Sequence, residues 1–413
     1  MKILVFAHQL EVGGTQVNAI ELAAALRDLH GHDVVLFAAP GPMVNLVRDK
    51  GLRLLLAPEA RVYPSPARMR ALRDVVRQER PDVIQAWDWW QGLDTYYGVH
   101  LPMRVPMVVS DMCMSITRLL PKTVPTTFGI PELVDQARAA GRRVELLLPP
   151  VDVQANAPGV ADPRAFREQY GVTDREILLV TVSRFSAWLK GEGLQRTIDA
   201  VRVLGRELPL RLLLVGDGAL RSRLQQMADA ANTGLGRTAV TLTGALLDPR
   251  PAYAAADIVV GMGGSALRAM AFGKPVVIIG EENFSAPFTP ETAESFYYKG
   301  IYGVGDRTSG NEKLTQDIKE LAEHPTRLPE LGEFSRQFVV KHFSLETGSA
   351  TLSALCRAAA SEPLDMSRAV ADGLRTMAIW VRERRFVPGQ KAFVADVAAT
   401  PSRTDGTPEL SKA

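Results

Sequence analysis

Short runs of apolar residues alternate with segments of helical periodicity along the first half of the chain. The pattern predicts strands over residues 2–7, 33–38, 52–57, 81–87 and 105–111, and a helix from about Thr15 to Leu29. Unbroken apolar runs indicate strands buried on both faces, and the helices between them indicate parallel connections. The first half is therefore predicted to form a doubly wound α/β domain around a parallel sheet.

A turn-rich stretch from Leu148 to Gly159 interrupts this pattern, and the alternation then restarts. Strands are predicted over residues 176–183, 210–215, 240–243, 257–260 and 275–279, with helices over 193–204 and 219–231. Because Pro- and Gly-rich stretches commonly link domains, the restart indicates a second doubly wound sheet. We predict one domain over residues 1–150 and another over 151–343.

The chain after residue 343 has a different character. Apolar positions over residues 344–386 recur at helical spacing, and we expect these helices to cross back to the first domain. The tail over residues 387–413 is rich in Ala, Thr, Ser and Asp and lacks an apolar face, so we expect it to be disordered.

Composition excludes several classes of protein. Hydrophobic residues make up 46% of the 413 and charged residues 23%, as in folded proteins, and the net charge of +2 argues against a nucleic-acid partner. Cys113 and Cys356 match no metal-ligand spacing, and the sequence has no apolar run of about 18 residues that would span a membrane. We therefore expect a soluble cytoplasmic protein, whose oligomeric state the sequence leaves open.

Four predicted strands end in turns that suit a ligand. In an open α/β sheet, ligands bind beyond the carboxyl ends of the strands, where helix N-termini present free N–H groups to phosphate. The four turns contain Gly13-Gly14, Arg184 with Lys190, Gly216-Asp217-Gly218, and Gly261-Met262-Gly263-Gly264-Ser265. Ordinary turns or solvated surface cations also explain the first three. Three glycines in four residues at a helix start favour phosphate binding in the fourth.

The order and spacing of these turns resemble those of retaining GT-B glycosyltransferases of the family-4, or group 1, type. The resemblance covers the chain to about Phe343. It also rests on Pro81-Asp82-Val83-Ile84, Pro149-Pro150-Val151-Asp152 and Ala269-Met270-Ala271-Phe272-Gly273-Lys274-Pro275. It implies two Rossmann-like doubly wound parallel-sheet domains that face each other across a cleft. The first would bind the acceptor and the second the nucleotide sugar.

The resemblance also implies roles for individual residues. Arg184 and Lys190 would contact the donor diphosphate and stabilise the charge of the departing phosphate. The other donor contacts would come from Gly13, Gly14, Gly216, Gly218, Leu242, Gly244, Gly263, Gly264, Ser265 and Ala266.

Two departures from the family's pattern concern polar side chains. The family usually has a pair of glutamates at the positions occupied here by Val260 and Arg268. Arg268 cannot accept a hydrogen bond but can pair with a phosphate, and Glu281 and Glu282 would take over part of the missing role. A histidine that often follows the last predicted strand of the first domain is also missing, and Asp111 is the nearest polar residue there.

Further acceptor-side residues are predicted at the strand ends of the first domain. Asp88 matches an aspartate that faces the acceptor in glycogen-synthase-like relatives, although a helix N-cap would explain it equally well. The rings of Trp87, Trp89 and Trp90 would stack on a sugar if they do not belong to the core, and Met112 lies in the same region.

The predicted function is transfer of a sugar from a nucleotide sugar, a UDP-sugar before others, to a hydroxyl of a small-molecule or glycan acceptor. By the resemblance, the anomeric configuration would be retained, and the leaving phosphate would help to deprotonate the acceptor. We expect no essential metal or other cofactor.

Two alternatives stay open. A GT-B-fold UDP-sugar 2-epimerase would need histidines and carboxylates around the sugar, which are sparse; His8, after the first strand, is more simply a loop histidine. A catalytically inactive GT-B binding or partner subunit would explain the missing glutamates. A dinucleotide oxidoreductase is disfavoured, because the Gly-x-Gly-x-x-Gly fingerprint is absent from the sequence.

Overall fold

The computed structural model describes residues 1–60, 62–307 and 310–386. The tail over 387–413, for which we expected disorder, lies outside the described residues. Among the described helices, none is both long and apolar enough to cross a membrane.

The sheet of the first domain consists of seven parallel strands. Their bounds are β1 Lys2–Phe6, β2 Asp33–Ala38, β3 Arg53–Leu56, β4 Val83–Trp87, β5 Met107–Asp111, β6 Thr126–Phe128 and β7 Val144–Leu146. Their spatial order is β3-β2-β1-β4-β5-β6-β7. The direction of winding reverses between β1 and β4, where diverging loops leave a crevice for a ligand.

Helices cover both faces of this sheet. They are α1 Gly14–Asp28, α2 Val44–Asp49, α3 Pro66–Glu79, α4 Asp88–Thr95, a π-helical turn Tyr96–His100, α5 Leu101–Met103 and α6 Pro131–Ala139. Local sequence sets the helix starts. The Ser65 side chain caps α3 by accepting from the Arg68 N–H, and a proline occupies the first turn of both α3 and α6.

The second domain contains a six-stranded sheet. Its strands are β8 Ile177–Val182, β9 Leu210–Val215, β10 Val240–Gly244, β11 Ile258–Gly261, β12 Val276–Ile279 and β13 Ser285–Pro287. Their order is β10-β9-β8-β11-β12-β13, and only β13 runs antiparallel to its neighbour among these strands. The predicted fold, two doubly wound α/β domains, is confirmed.

Eight helices and one short 3₁₀ turn of the described chain surround the second sheet. They are α7 Pro163–Gln169, α8 Gly191–Leu204, α9 Arg221–Leu235, α10 Arg250–Ala255, α11 Gly263–Ala271, α12 Pro290–Lys299, α13 Glu312–Glu323, the 3₁₀ turn Pro325–Arg327 and α14 Leu328–His342. α8 begins at Gly191, earlier than the predicted Gly193, and α11 begins at Gly263, within the glycine-rich turn.

The chain passes between the domains twice, and the two passages lie side by side. The Val151 N–H donates to the Phe343 carbonyl at 2.7 Å, and the Leu345 N–H donates to the Val151 carbonyl at 3.0 Å. The last helices, α15 Leu345–Ser361 and α16 Met366–Phe386, then pack on the first domain. A ring nitrogen of the buried His32 lies 2.8 Å from Ser353 Oγ of α15. The chain therefore starts and ends its described fold in the same domain.

We predict that α15 is part of the core of the first domain. Leu352→Ala should lower the free energy of unfolding by about 2–5 kcal/mol, because this fully buried side chain packs in one cluster with residues of α1 and β2. Leu374→Ala on α16 is the control, since its side chain is 69% exposed, and should change that free energy by less than about 0.5 kcal/mol. Chemical denaturation measures both, and equal effects would contradict this packing.

Candidate active site

The carboxyl ends of the two sheets face a common cleft between the domains. α1, which follows β1, meets α11, which follows β11: Glu21 Oε2 lies 3.9 Å from Arg268 Nη2. Elsewhere along the boundary, the Tyr298 hydroxyl of α12 donates to Asp135 Oδ2 of α6 at 3.1 Å. The helices that follow the strands of one sheet thus touch those of the other, so the turns at both carboxyl edges open toward the cleft.

The turn after β8 carries Arg184 and is anchored by backbone hydrogen bonds to the turn after β9. The Phe185 N–H donates to the Asp217 carbonyl at 2.8 Å, and the Leu220 N–H donates to the Phe185 carbonyl at 2.9 Å. The Phe185 ring is fully buried, whereas Arg184 is exposed. The packed phenylalanine therefore fixes the turn and leaves the guanidinium free to meet a ligand.

Gly216 and Gly218 are required by this close packing of the two turns. Their φ angles are 149° and 148°, in a region that favours glycine. A Cβ on Gly216 would lie 1.8 Å from the Ser183 carbonyl oxygen, and one on Gly218 would lie 2.7 Å from the Phe185 carbonyl oxygen. These contacts within the protein account for both glycines, so their role in donor binding stays a prediction.

The glycines after β1 are in a different situation. Gly13 is the N-cap of α1 with extended backbone, and a Cβ there would meet only the flexible side chain of Gln16. Gly14 is exposed, and a Cβ there would enter open space. No contact within the protein requires glycine at position 14. A glycine without such a requirement is typical of a backbone that a ligand approaches closely.

Lys190 is half-buried at the N-terminus of α8, next to the turn that carries Arg184. Burial, and secondarily the charge of Arg184, lower the pKa of Lys190 to about 8. Among the described residues, no carboxylate lies within ion-pair distance of either cation. Two cations that repel each other at a helix N-terminus form a site for an anion.

The glycine-rich segment after β11 forms the first turn of α11, with Met262 as its N-cap. The prediction for Gly263 is corrected, because its N–H donates to the Ile301 carbonyl at 2.7 Å and is not available to phosphate. Ala266 is fully buried one turn along, where the helix's own hydrogen bonds begin. Gly264 and Ser265 therefore supply the free N–H groups at this helix end.

Arg268 folds back over the N-terminal end of α11. Its Nη1 donates to the Gly264 carbonyl at 3.3 Å, and its Nη2 faces Glu21 of the first domain. Farther along the sheet, Leu242 is half-buried near the end of β10, and the Gly244 carbonyl accepts from the Gly216 N–H at 2.9 Å. β10 thus supports the Gly-Asp-Gly turn from behind.

Glu281 and Glu282 line a separate cavity of about 500 Å³ beside the start of α8. Glu192, in the first turn of α8, accepts from the Glu282 N–H at 3.1 Å and from the Asn283 N–H at 2.6 Å. The Glu282 carboxylate pairs with Arg307. Glu282 is therefore committed to a protein partner, while Glu281 stays a predicted ligand contact.

In the first domain, His8 and Asp88 meet at the crevice between β1 and β4. His8 Nε2 lies 2.6 Å from Asp88 Oδ2, and both side chains are largely buried. Asp88 Oδ1 accepts from the Met112 N–H at 2.8 Å, and the backbone of Asp88 is left-handed with φ 53°. Strain in a non-glycine residue often marks a functional site. The alternative reading of Asp88 as a helix N-cap is wrong, because Trp87 is the N-cap of α4 and the Asp88 side chain instead contacts His8 and Met112.

Asp111 lies beneath this pair and is fully buried. Burial, and then the charge of Asp88, raise the pKa of Asp111 to about 7. Burial also raises the pKa of the Cys113 thiol. Asp88, Asp111 and Cys113 have ligand atoms within 4.8 Å of one another, as a metal site requires. A protonated acid and a protonated thiol are poor ligands, so a metal would have to displace both protons.

The aromatic predictions are partly corrected. Trp87 is fully buried in the core of the first domain, so its ring cannot stack on a sugar. Trp90 is also buried; its ring stacks on that of Trp89 at 4.2 Å and lies 5.5 Å from the ring of Tyr63. Trp89 is partly exposed and is the member of the three that a sugar could reach.

Sequence reasoning did not select His8 or Glu21 as site residues. His8 follows directly after β1, a position that could have been weighted more heavily. Glu21 interrupts a run of buried apolar residues in α1, which is a signal that a carboxylate has a specific partner. Neither partner is visible in the sequence, because each lies far along the chain.

Comparison of folds defines the class of protein. A glycosyltransferase from Rickettsia africae ESF-5 superposes with a TM-score of 0.69 at 15% identity, over 88% of this chain and 99% of that one. Anabaena Alr3699/HepE in complex with UDP gives 0.67 at 17% identity, over 87% and 100%. Sucrose-phosphate synthase from Thermosynechococcus elongatus gives 0.68 at 18%, over 87% and 98%. The fold is that of the GT-B glycosyltransferases.

Family models match both domains. The model described as Glycosyltransferase Family 4 matches residues 12–111, and the model described as Glycosyl transferases group 1 matches residues 176–286. A comparison with curated proteins finds no match. The two models together cover just over half of the chain, which belongs to this family of glycosyltransferases.

We predict that Gly216→Ala destabilises the protein. The added Cβ would collide with the Ser183 carbonyl, and alanine would be strained at this φ, so the free energy of unfolding should fall by about 2 kcal/mol or more. Gly14→Ala is the matched control, because its Cβ would enter open space. Thermal unfolding compares them, and an unchanged melting temperature for Gly216→Ala would show that the two turns are not packed in this way.

Proposed function

We propose that this glycosyltransferase transfers a sugar from a UDP-sugar to a hydroxyl of a small-molecule or glycan acceptor. The observation that carries the proposal is the pair formed by Arg184 and Lys190, two cations without an anionic partner among the described residues, at the N-terminus of α8. The similar Anabaena protein binds UDP and UDP-glucose, which supports UDP as the carrier.

The chemistry follows from where charge develops. As the bond between the anomeric carbon and the phosphate oxygen breaks, the diphosphate gains negative charge, which Arg184 and Lys190 stabilise. The acceptor oxygen forms the new bond on the same face, and its proton passes to the departing phosphate oxygen. The anomeric configuration is thereby retained without a separate protein base.

The first domain supplies the acceptor side of the cleft. Trp89 offers a partly exposed ring for an apolar sugar face. His8 and Asp88 place polar atoms at the crevice of the sheet. Asp111 is fully buried, so its carboxylate is not exposed to take a proton from an acceptor. Closure of the cleft would exclude water, which otherwise hydrolyses the donor.

A thermal-shift panel of UDP, GDP, ADP and TDP tests the donor site. UDP should raise the melting temperature, because a ligand that binds only the folded state stabilises it. Arg184→Ala and Lys190→Ala should each weaken UDP binding about tenfold or more, since each removes a charge-assisted contact to phosphate. Arg206→Ala, at an exposed arginine after α8, is the control. If no nucleotide raises the melting temperature of the wild type, the proposed donor site is wrong.

The pair of His8 and Asp88 keeps the epimerase alternative testable. Incubation with UDP-GlcNAc alone separates the two enzymes, because epimerisation needs no acceptor. Appearance of the 2-epimer would overturn the transferase proposal. Unchanged product formation in cells that carry both Arg184→Ala and Lys190→Ala would instead favour an inactive partner subunit.

Lys190 should make UDP binding depend on pH. Its pKa of about 8 in the free protein lies below the usual value, and a bound diphosphate favours the charged form. Lys190 is therefore mostly charged at pH 7 and mostly neutral at pH 9, so the Kd for UDP should rise about tenfold between these values. Lys190→Arg stays charged and should bind UDP with little pH dependence. An equal rise in Kd for this variant would exclude Lys190 as the titrating group.

A further inference from the structure

One ion pair joins the two domains inside the cleft, but its two facing atoms are not hydrogen-bonded to each other. Glu21 lies in the middle of α1 and Arg268 lies in α11, with 12% and 16% of their side chains exposed. The closest atoms, Glu21 Oε2 and Arg268 Nη2, are 3.9 Å apart. This distance is too long for a hydrogen bond, although the charges attract.

Both atoms that face this gap lack a hydrogen-bond partner. Glu21 Oε2 and Arg268 Nη2 are buried and unsatisfied in the described structure. Buried polar atoms in folded proteins nearly always have a partner, and those without one call for an explanation. One of the two is an acceptor and the other a donor. A ligand satisfies both by presenting an acceptor oxygen to Arg268 and a hydroxyl to Glu21.

The gap lies at the helix end proposed to bind phosphate. Arg268 Nη1 is held on the Gly264 carbonyl, so the guanidinium stays at the N-terminal end of α11 beside the free N–H groups of Gly264 and Ser265. Burial raises the pKa of Glu21, and the charges of Arg268 and Lys50 act in the opposite direction. A carboxyl oxygen accepts hydrogen bonds, so Glu21 Oε2 is the acceptor at this gap.

We propose that Glu21 and Arg268 form a subsite for the nucleotide sugar that spans the two domains. Arg268 Nη2 donates to a phosphate oxygen, and Glu21 Oε2 accepts from a hydroxyl of the same ligand. This inference rests on the proposed function. Glu21 is then a binding residue supplied by the first domain, and the ligand links α1 to α11.

A nucleotide sugar carries hydroxyls on both sides of its diphosphate, on the ribose and on the transferred sugar. The ribose and the transferred sugar each offer a hydroxyl near a phosphate. Binding of three ligands distinguishes which of the two hydroxyls Glu21 contacts. If Glu21 accepts from the ribose 2′-hydroxyl, the wild type should bind UDP more tightly than 2′-deoxy-UDP. If it accepts from the transferred sugar, the wild type should bind UDP-glucose more tightly than UDP.

The test is a double-mutant cycle of Glu21→Gln and Arg268→Met, with Kd measured by calorimetry for UDP, 2′-deoxy-UDP and UDP-glucose. Glu21→Gln should abolish the preference that Glu21 causes, either for UDP over 2′-deoxy-UDP or for UDP-glucose over UDP. It should raise the Kd of the preferred ligand about tenfold. Arg268→Met should weaken all three ligands, because each contains the diphosphate. The Kd of the double variant should rise by less than the product of the two single-variant rises, since both residues contact one ligand.

Exposed residues of the same types provide matched controls. Glu145→Gln and Arg206→Met should leave all three Kd values unchanged. If Glu21→Gln and Arg268→Met lower the melting temperature but keep wild-type Kd values, the pair is only a contact between domains and the inference fails. If the wild type binds none of the three ligands, the proposed function fails first, and the inference fails with it.

Discussion

The hydrogen bonds between Val151 and the segment Phe343–Leu345 hold the two passages of the chain side by side, and the rest of the molecule depends on this arrangement. After the second crossing, the last helices return to the first domain, where α15 packs against α1. α1 is thus fixed on one side by α15 and faces α11 on the other. The position of the two crossing segments therefore determines the shape of the cleft.

Charge is distributed unequally across this cleft. On the second domain, Arg184 and Lys190 have no carboxylate partner among the described residues, and burial lowers the pKa of Lys190 to about 8. On the first domain, burial raises the pKa of Asp111 to about 7, so this acid tends toward its neutral form. A ligand with an anionic middle and neutral hydroxylated ends matches such a cleft better than a uniformly charged one does.

The sequence predicted those features that local pattern determines. Apolar runs and turn glycines located β1 and β8 and the cations after β8, because neighbouring residues determine a strand, a turn and a helix start. The three-residue strands β6 and β7 were missed, since so short a run carries no periodicity. The sequence does not reveal which face of a strand is buried, so it left Trp87 open between a sugar contact and the core, to which it belongs. Contacts such as Glu21 with Arg268 depend on the assembled domains.

The turns after β8 and β9 are packed so closely that they form a single rigid part. Gly216 and Gly218 admit the backbone of the first turn, and the buried Phe185 ring locks the two together. Neither turn can be exchanged alone without a collision. A chimaera with altered sugar preference would therefore have to carry residues 183–186 and 215–220 as one cassette, or leave both in place and vary the surrounding loops.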